Sequence, residues 1–547
     1  MANRTLSALD GQGWTGVVCI AYPHNWQRIT RVQILDYDPI SDPVMVIKLV
    51  VKQLPQADQQ PRFGPISGVR RGGFGALSRI HHPSSDTYLA HRCGEMGSIA
   101  MPAQLGDLND QVFVLVTGTN SGLGLSICRR LIDEFLHTRP RTQSLTLIFT
   151  TRSTRKSNET LAHLQRHLRL AGVSGRDLER ITLKPEHVDL CDLLSVRALS
   201  RRLLASTPKL DVVVLNAGIA GFSGLNWFRA IYMVLTDLIY AVTWPSSYCI
   251  SPTGTLVKKQ TQLPDEPPLG QLFCANVFGH YMLSHNLVPL LKKSDIPGRI
   301  IWTSSLEANR EVFDVSDIQG LKTSRAYESV KYLTDILALT SPLPSTAPWV
   351  NSFLSSSDDD NHISNGKSSL QDRKLSSTTP SMYVAHPGIC ATSILPLILP
   401  LYYAMIAAFW FARIVGSPWH VLSSYRGAAA SVWLALAPHS VIDAAEAAYA
   451  ALGGGRVKWG SSCDRLGRES VVCTEVEGWG FGGIVGGPQL EGDRTRRRKR
   501  GARDLTAEER VEFEELGRRC WREMEELRVR WDDILDRAED NMGEKAA

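Results

Sequence analysis

The sequence predicts an α/β protein, a Rossmann-type doubly wound parallel sheet with hydrophobic inserts and extended N- and C-terminal segments. Three observations predict it. A short apolar run, Gln111-Val112-Phe113-Val114-Leu115-Val116, leads straight into the glycine-rich turn Thr117-Gly118-Thr119-Asn120-Ser121-Gly122-Leu123-Gly124. An amphipathic stretch, Leu125 to Leu136, follows the turn. Far downstream, Ser324-Arg325-Ala326-Tyr327-Glu328-Ser329-Val330-Lys331 sets a phenol and an ammonium four residues apart. Strand, glycine turn and helix are the setting that a dinucleotide fingerprint requires. Positions i and i+4 of a helix share a face, so Lys331 lies near Tyr327, where a cation favours the phenolate and suits proton donation to a forming alkoxide.

The elements follow in order. The first apolar run reads as a buried parallel strand. The turn's glycines let the backbone approach a pyrophosphate, and Gly118, Asn120, Ser121, Gly122, Leu123 and Gly124 are the expected contacts, with N–H groups at the helix start holding the anion. Its spacing is G-x-x-x-G-x-G. A second strand, Leu145 to Thr150, ends where the adenosine ribose belongs. An acid there would select NAD, whereas an arginine accommodates a 2′-phosphate. The chain has Thr151-Arg152-Ser153-Thr154-Arg155-Lys156 and no carboxylate before Glu159, which points to NADPH with Arg152 as the leading contact. The bland alternative is a basic loop facing water.

With these residues in view, the chain resembles the short-chain dehydrogenase/reductases. Asp189 follows a third strand where the family has an adenine contact. Asn216-Ala217-Gly218 closes Asp211-Val212-Val213-Val214-Leu215 as the family's Asn-Ala-Gly closes its fourth strand. Asn276 matches the helix asparagine of the catalytic tetrad, and Pro387-Gly388 with Thr392 matches the Pro-Gly-x-x-x-Thr beside the nicotinamide. The tetrad serine ends a fifth strand, Arg299 to Ser305; the family pattern implies Ser305, with Ser304 in reserve. Tyr327 lies 22 residues beyond Ser305, farther than is typical, so an excursion around Asn309 to Gly320 is expected. The resemblance implies catalytic roles for Ser305, Tyr327, Lys331 and Asn276, with Tyr327 and Lys331 also touching the cofactor.

Within the family, the likeness over about Leu108 to Gly460 is to the fungal 3-keto-steroid reductases of ergosterol synthesis. It rests on Ile301-Trp302-Thr303-Ser304-Ser305, on Tyr327-Glu328-Ser329 onward, and on His386-Pro387-Gly388-Ile389-Cys390-Ala391-Thr392-Ser393. It implies NADPH-dependent reduction of a sterol 3-ketone to a 3β-hydroxyl after C4 decarboxylation. It also implies partners among the other sterol-synthesis enzymes, and a seat on the endoplasmic reticulum or lipid droplets with the catalytic domain facing the cytosol. Two rival readings stand beside it: a reductase of another bulky lipophilic ketone, and a non-catalytic scaffold.

Composition bounds the rest. At 547 residues the chain exceeds one ordinary domain, and a net charge of +5 makes no case for nucleic-acid binding. The ten cysteines, Cys19 to Cys520, show no C-x-x-C and no metal spacing, so no metal is expected and the thiols suit a reducing compartment. Met1 to Asp10 is polar, so no signal peptide is expected. Residues 1–105 are taken as an extension, disordered or a small appended domain; 106–480 as the catalytic domain; 481–547 as a basic linker and charged C-terminal helix. Within the domain, 341–381 reads as a polar surface loop. After Gly480 order is expected to fade, with seven basic residues in the ten from Arg494 to Arg503. Thr506-Ala507-Glu508-Glu509 then reads as a capping box, and Trp521, Met524, Leu527 and Trp531 as a packing stripe.

Ile394 to Ala412 is nineteen residues without a charge, within a membrane-associated apolar segment, 394–415. A bilayer span needs about twenty apolar residues, and Pro396 and Pro400 interrupt this one. A lid dipping into one leaflet is favoured over a span or plain core. The insert Phe222 to Tyr248 forms an opposite wall or a helix pair packed on the core.

Overall fold

This computed structural model describes residues 110–355, 379–391, 399–499 and 501–546, with the backbone at 21–22, 25–26, 32–34 and 47–49. The chain divides into two compact units, 1–36 with 45–106 and 37–44 with 107–547. In the first, Ala21–Tyr22 pairs with Asn25–Trp26 and Val32–Ile34 with Ile47–Leu49, both antiparallel. The rest of the expected extension 1–105 lies outside the described residues.

The second unit alternates strand and helix: β1 (Gln111–Val116), α1 (Gly122–Thr138), β2 (Ser144–Thr151), α2 (Thr154–Leu170), β3 (Ile181–His187), α3 (Leu193–Ser206) and β4 (Val212–Leu215). An apolar insert, α4 (Trp227–Thr236) and α5 (Leu238–Thr243), follows between two short paired strands. Helix α6 runs through Gln271–Phe273, a π-helical turn Cys274–Phe278, and Gly279–Asn286. Then come β5 (Arg299–Thr303), α7 (Ala326–Thr340), α8 (Ala347–Phe353), β6 (Ser381–His386), α9 (Leu399–Ile414), α10 (Ala429–Leu436), α11 (His439–Ala450), β7 (Lys458–Cys463), β8 (Glu469–Thr474) and α12 (Ala507–Ala546).

The sheet order is β3-β2-β1-β4-β5-β6-β7-β8, parallel throughout except for antiparallel β8 at the edge. Side chains alternate across it, so Phe113 and Leu115 enter a core with α3, α6 and α7 while Val114 and Val116 enter one with α1 and α10. Both faces are covered, which is why the strands read as continuous apolar runs. The strand order reverses between β1 and β4, and a ligand crevice opens at the carboxyl ends there.

Two expectations are corrected. The polar loop begins later than 341: Val350, Phe353 and Leu354 are buried, and Phe353 packs on Tyr281 and Trp521 at ring distances of 4.4 and 5.6 Å. Residues 356–378 lie outside the described ones. Nor does order fade after Gly480. Thr506 and Glu509 exchange the two hydrogen bonds of a capping box, each 3.1 Å. The helix they start buries Phe513, Cys520, Trp521, Met524, Trp531 and Leu535 in the same core as α7. The stripe packs as its periodicity indicates. The basic run is occupied too: Arg496 pairs with Asp493 (2.8 Å), Arg498 with Glu475 (2.5 Å) and Lys499 with Glu477 (2.6 Å).

Among the described residues no helix is long and apolar enough to cross a membrane. Helix α9 packs Phe409 and Ala412 against Val242 of α5, and it exposes Tyr403, Trp410, Phe411 and Ile414. Helix α4 exposes Trp227, Phe228, Ile231, Tyr232 and Leu235. Residues 392–398, including Thr392 and the start of the apolar segment, lie outside the described residues.

Candidate active site

The glycine turn is closed so tightly that side chains are barred from it. Gly118 has φ of 69°, and a Cβ there would meet Ala217 Cα at 2.7 Å. A Cβ on Gly124 would meet the Gly118 carbonyl at 2.1 Å. The α1 N-cap, Ser121, makes no side-chain cap bond, and the first turn carries no acid. The N–H groups of Gly122 and Leu123 therefore face an end that favours an anion, and the cradle fits a dinucleotide pyrophosphate. Asn120 is exposed and donates to the Ser121 hydroxyl (3.3 Å). Asn216 acts on the cradle itself, its amide donating to the carbonyls of Thr117 (3.0 Å) and Gly118 (3.3 Å).

Arg152 stands exposed just past the end of β2, with no ion-pair partner among the described residues. Its neighbour Arg155 pairs with Glu159 at 3.0 Å. Asp189 holds its own loop, its carboxylate accepting the Cys191 N–H at 3.0 Å. Pro387 and Gly388 follow β6, and Gly388, at φ 66°, would drive a Cβ to 2.6 Å from the Trp419 carbonyl.

The end of β5, helix α7 and helix α6 bring Ser305, Tyr327, Lys331 and Asn276 together. Tyr327 and Lys331 lie on one face of α7, with the ammonium 5.8 Å from the phenol ring centroid. Lys331 donates to the Thr303 carbonyl at 2.9 Å. Asn276 sits in the π-turn of α6 and donates to the carbonyls of Ile219 and Leu272, both 2.9 Å. Its side-chain oxygen is buried and has no partner among the described residues. A Cβ on Gly218 would touch that oxygen at 2.4 Å and lie 3.8 Å from Lys331 Nζ, so this glycine keeps open the space the two share. The two candidate serines differ in direction. Ser305 Oγ accepts the Glu307 N–H at 3.1 Å and is close enough to Tyr327 to favour its phenolate, whereas Ser304 is buried and donates to the Lys331 carbonyl at 3.3 Å.

The electrostatics amend the simple picture of a lysine beside a tyrosine. Burial and then the Glu307 carboxylate push the Tyr327 phenol up, while the Ser305 hydroxyl pulls it down. Lys331 is turned to a backbone carbonyl and does not govern the phenol here. The result is a phenol held protonated, as a proton donor must be. Burial lowers the Lys331 ammonium to about 8, against Asp335 and with help from Lys458.

Three polar residues here escape sequence reasoning. Glu307 is buried and accepts the Ser246 N–H at 2.7 Å, tying the apolar insert to the serine loop. Asp335 and Lys458 form a buried pair at 2.7 Å beneath the site. Asp335 was within reach, since it continues the i, i+4 ladder of Tyr327 and Lys331 by another turn. Lys458 shows only as a cation inside an otherwise uncharged strand.

A doubly wound sheet with a dinucleotide cradle and a Ser-Tyr-Lys-Asn cluster defines a short-chain dehydrogenase/reductase. No family model matches the chain. It is 59% identical over 444 residues to 3-keto-steroid reductase erg27 of Aspergillus fumigatus, covering 79% of this chain and 97% of that protein. It is 41% identical over 480 residues to 3-keto-steroid reductase ERG27 of Gibberella zeae, covering 80% and 96%. The chain belongs to the fungal 3-keto-steroid reductase family. Among solved structures, an alcohol dehydrogenase of Thermococcus sibiricus complexed with 5-hydroxy-NADP matches with TM-score 0.31 and 17% identity over 60% of this chain and 92% of its own.

Glu307 yields a stability prediction. Burial raises its carboxyl from 4.5 to about 7, against the opposing Ser246 hydrogen bonds. The folded chain then holds this proton more tightly than the unfolded chain, so stability falls as pH rises from about 4.5 through 7. Glu307→Gln keeps an acceptor for Ser246 and loses this dependence. Between about pH 5 and 8 the variant should gain on the parent by on the order of 2–3 kcal/mol. Urea denaturation at each pH measures this, and parallel stability curves would refute it.

Proposed function

We propose that the protein reduces a sterol 3-ketone to the 3β-hydroxyl, with NADPH as hydride source, in the C4-demethylation stage of ergosterol synthesis. The observation that carries this reading is membership of the 3-keto-steroid reductase family along nearly the whole length of a curated relative. NADPH, when bound, supplies hydride to the carbonyl carbon. Tyr327 gives its phenolic proton to the carbonyl oxygen as negative charge builds there. Ser305 hydrogen-bonds the same oxygen, which polarises the ketone and fixes its distance from the phenol. Lys331 would hold the nicotinamide ribose, and the Asn276 oxygen, which has no partner among the described residues, would hold a proton-relay water beside Lys331. Arg152, exposed beyond β2 with no ion-pair partner among the described residues, would meet the 2′-phosphate, with Asp189, Pro387 and Thr392 as further cofactor contacts.

The same reading accounts for the apolar surface. A sterol is nearly all hydrocarbon and partitions into lipid, where burial stabilises it by about 25 cal/mol per Å². The exposed aromatic and aliphatic side chains of α4 and α9 dip into one leaflet of the endoplasmic reticulum or of a lipid-droplet monolayer, and the substrate enters between them.

Catalysis is tested with a 3-ketosteroid in micelles. Tyr327→Phe should lose on the order of 10²–10⁴ in kcat and keep its affinity for NADPH. A more damaging Ser304→Ala than Ser305→Ala would reverse the serine assignment, and a Tyr327→Phe variant that still restores sterol synthesis in deficient cells would favour a scaffold.

Cofactor choice is tested by kcat/KM. NADPH should be strongly preferred over NADH, and Arg152→Asp should erode the preference because a carboxylate repels the 2′-phosphate. Equal efficiency of the two cofactors in the parent would sink this assignment.

Membrane association is tested by sedimentation with vesicles. The protein should pellet and be released by detergent but not by salt, because apolar insertion is insensitive to screening. Phe228→Asp with Phe411→Asp should loosen it and raise KM for sterols more than for a short soluble ketone. A parent protein that stays wholly in the supernatant with full sterol activity would show the two helices to be a packing surface.

A further inference from the structure

Lys458 is 3% exposed, on a strand next to the sheet edge. Its ammonium donates to the Ser305 carbonyl at 2.7 Å and to Asp335 Oδ2 at 2.7 Å. Asp335 is fully buried on α7 and continues the face that carries Tyr327 and Lys331. Buried ion pairs are weak devices for stability, because apolar residues of similar volume often serve as well or better. This pair also reaches the backbone of Ser305, whose hydroxyl accepts the Glu307 N–H and acts on the Tyr327 phenol. It crosses from β7 past β6 to do so, although a carbonyl at a strand end could be left to solvent.

We propose that Lys458, held by Asp335, is a positioning residue of the reaction, clamping the Ser305 carbonyl so that the serine hydroxyl stays aimed at Tyr327. The proposal rests on the catalytic reading given above and deepens it. It also makes the pair a control on Lys331. The groups facing that ammonium are Tyr327 and Asp335 on α7, Lys458 on β7 and His280 on α6. Glu307 faces the phenol from the serine loop. His280 is held neutral, burial taking it to about 3, so it does not change charge near neutrality. Asp335 raises the Lys331 ammonium and Lys458 lowers it.

Loss of the Ser305 clamp should act on kcat, since a misplaced reacting group costs rate even when binding survives. The decisive variant is Asp335→Asn with Lys458→Met, which removes both charges together and leaves neither buried alone. It should keep the parent's melting temperature and NADPH affinity, and lose about 10- to 100-fold in kcat with KM for a 3-ketosteroid nearly unchanged. The single variants supply a readout that a merely structural pair would not move. The alkaline limb of the pH–rate profile should shift down in Asp335→Asn and up in Lys458→Met, each on the order of one pH unit. Where a single variant fails to fold, the double variant decides. A double variant with kcat within about twofold of the parent, or single variants with unshifted limbs, would overturn the proposal. Tyr327→Phe is measured alongside: if it is inactive while the double variant is unimpaired, only the clamp is wrong, and if it is active the catalytic reading falls with it.

Discussion

One buried hydroxyl joins the parts on which the site depends. Thr117 Oγ1 accepts the N–H groups of Asn216 (2.9 Å) and Ala217 (3.0 Å), and it lies 2.9 Å from His280 Nε2. His280 Nδ1 in turn lies 3.2 Å from the Asn276 carbonyl. A nitrogen facing a carbonyl must carry the proton, so Nδ1 donates and Nε2 accepts from Thr117. The hydroxyl thereby fills two acceptor positions and its one donor position. It locks the end of β1, the end of β4 and the π-turn of α6 into one geometry. Burial keeps the imidazole neutral, which this arrangement requires. The glycine cradle and the Asn276 turn are therefore set by the same contact.

Around that joint the protein places polar machinery in a region otherwise built to exclude water. Low dielectric strengthens each hydrogen bond there and penalises each unpaired charge. The chain answers with pairs whose members come from different elements: Lys331 with the Thr303 carbonyl, Lys458 with Asp335, Glu307 with the Ser246 N–H. The last joins the apolar insert to the serine loop, so the wall that would cover a hydrocarbon substrate and the hydroxyl that would polarise its ketone share one anchor. Tyr327 also packs edge-to-face on Phe222 at the root of that insert, with ring centroids 5.9 Å apart. The insert, the serine loop and the Tyr327 face are mechanically continuous.

The sheet and its cradle were legible because both follow from local rules. Apolar runs of strand length, a glycine turn and an amphipathic stretch each carry their own signal, and their order selects the topology. Tyr327 and Lys331 were legible as a helical pair. What escaped was long-range. Nothing near Lys458 says that it reaches Ser305, two strands earlier in the chain, and Glu307 looks like any loop acid until Ser246 is brought against it. The C-terminal segment was legible in part. The capping box and the stripe of Trp521, Met524 and Trp531 announced a packed helix, whereas the basic run before it gave no sign of Glu475 and Glu477, the acids that hold it in place.

That stripe has a consequence for the active site. Helix α7 is buried along nearly its whole length, from Val330 to Thr340, and a helix hydrophobic on all sides needs cover on all sides. The sheet covers one side, and α12 covers another. Trp521 donates from its indole to the Leu337 carbonyl at 3.2 Å. Gly517 allows the approach, since a Cβ there would strike Thr340 Cγ2 at 2.5 Å. The basic run that leads into α12 is pinned by Glu475 and Glu477 just beyond β8, two residues of the stretch that continues the β7–β8 hairpin carrying Lys458. The C-terminal segment thus braces α7 from outside and the Lys458 hairpin from its edge. Rigidity of the Tyr327 face is in this sense supplied from the end of the chain, by packing that is complete only when the last helix has docked.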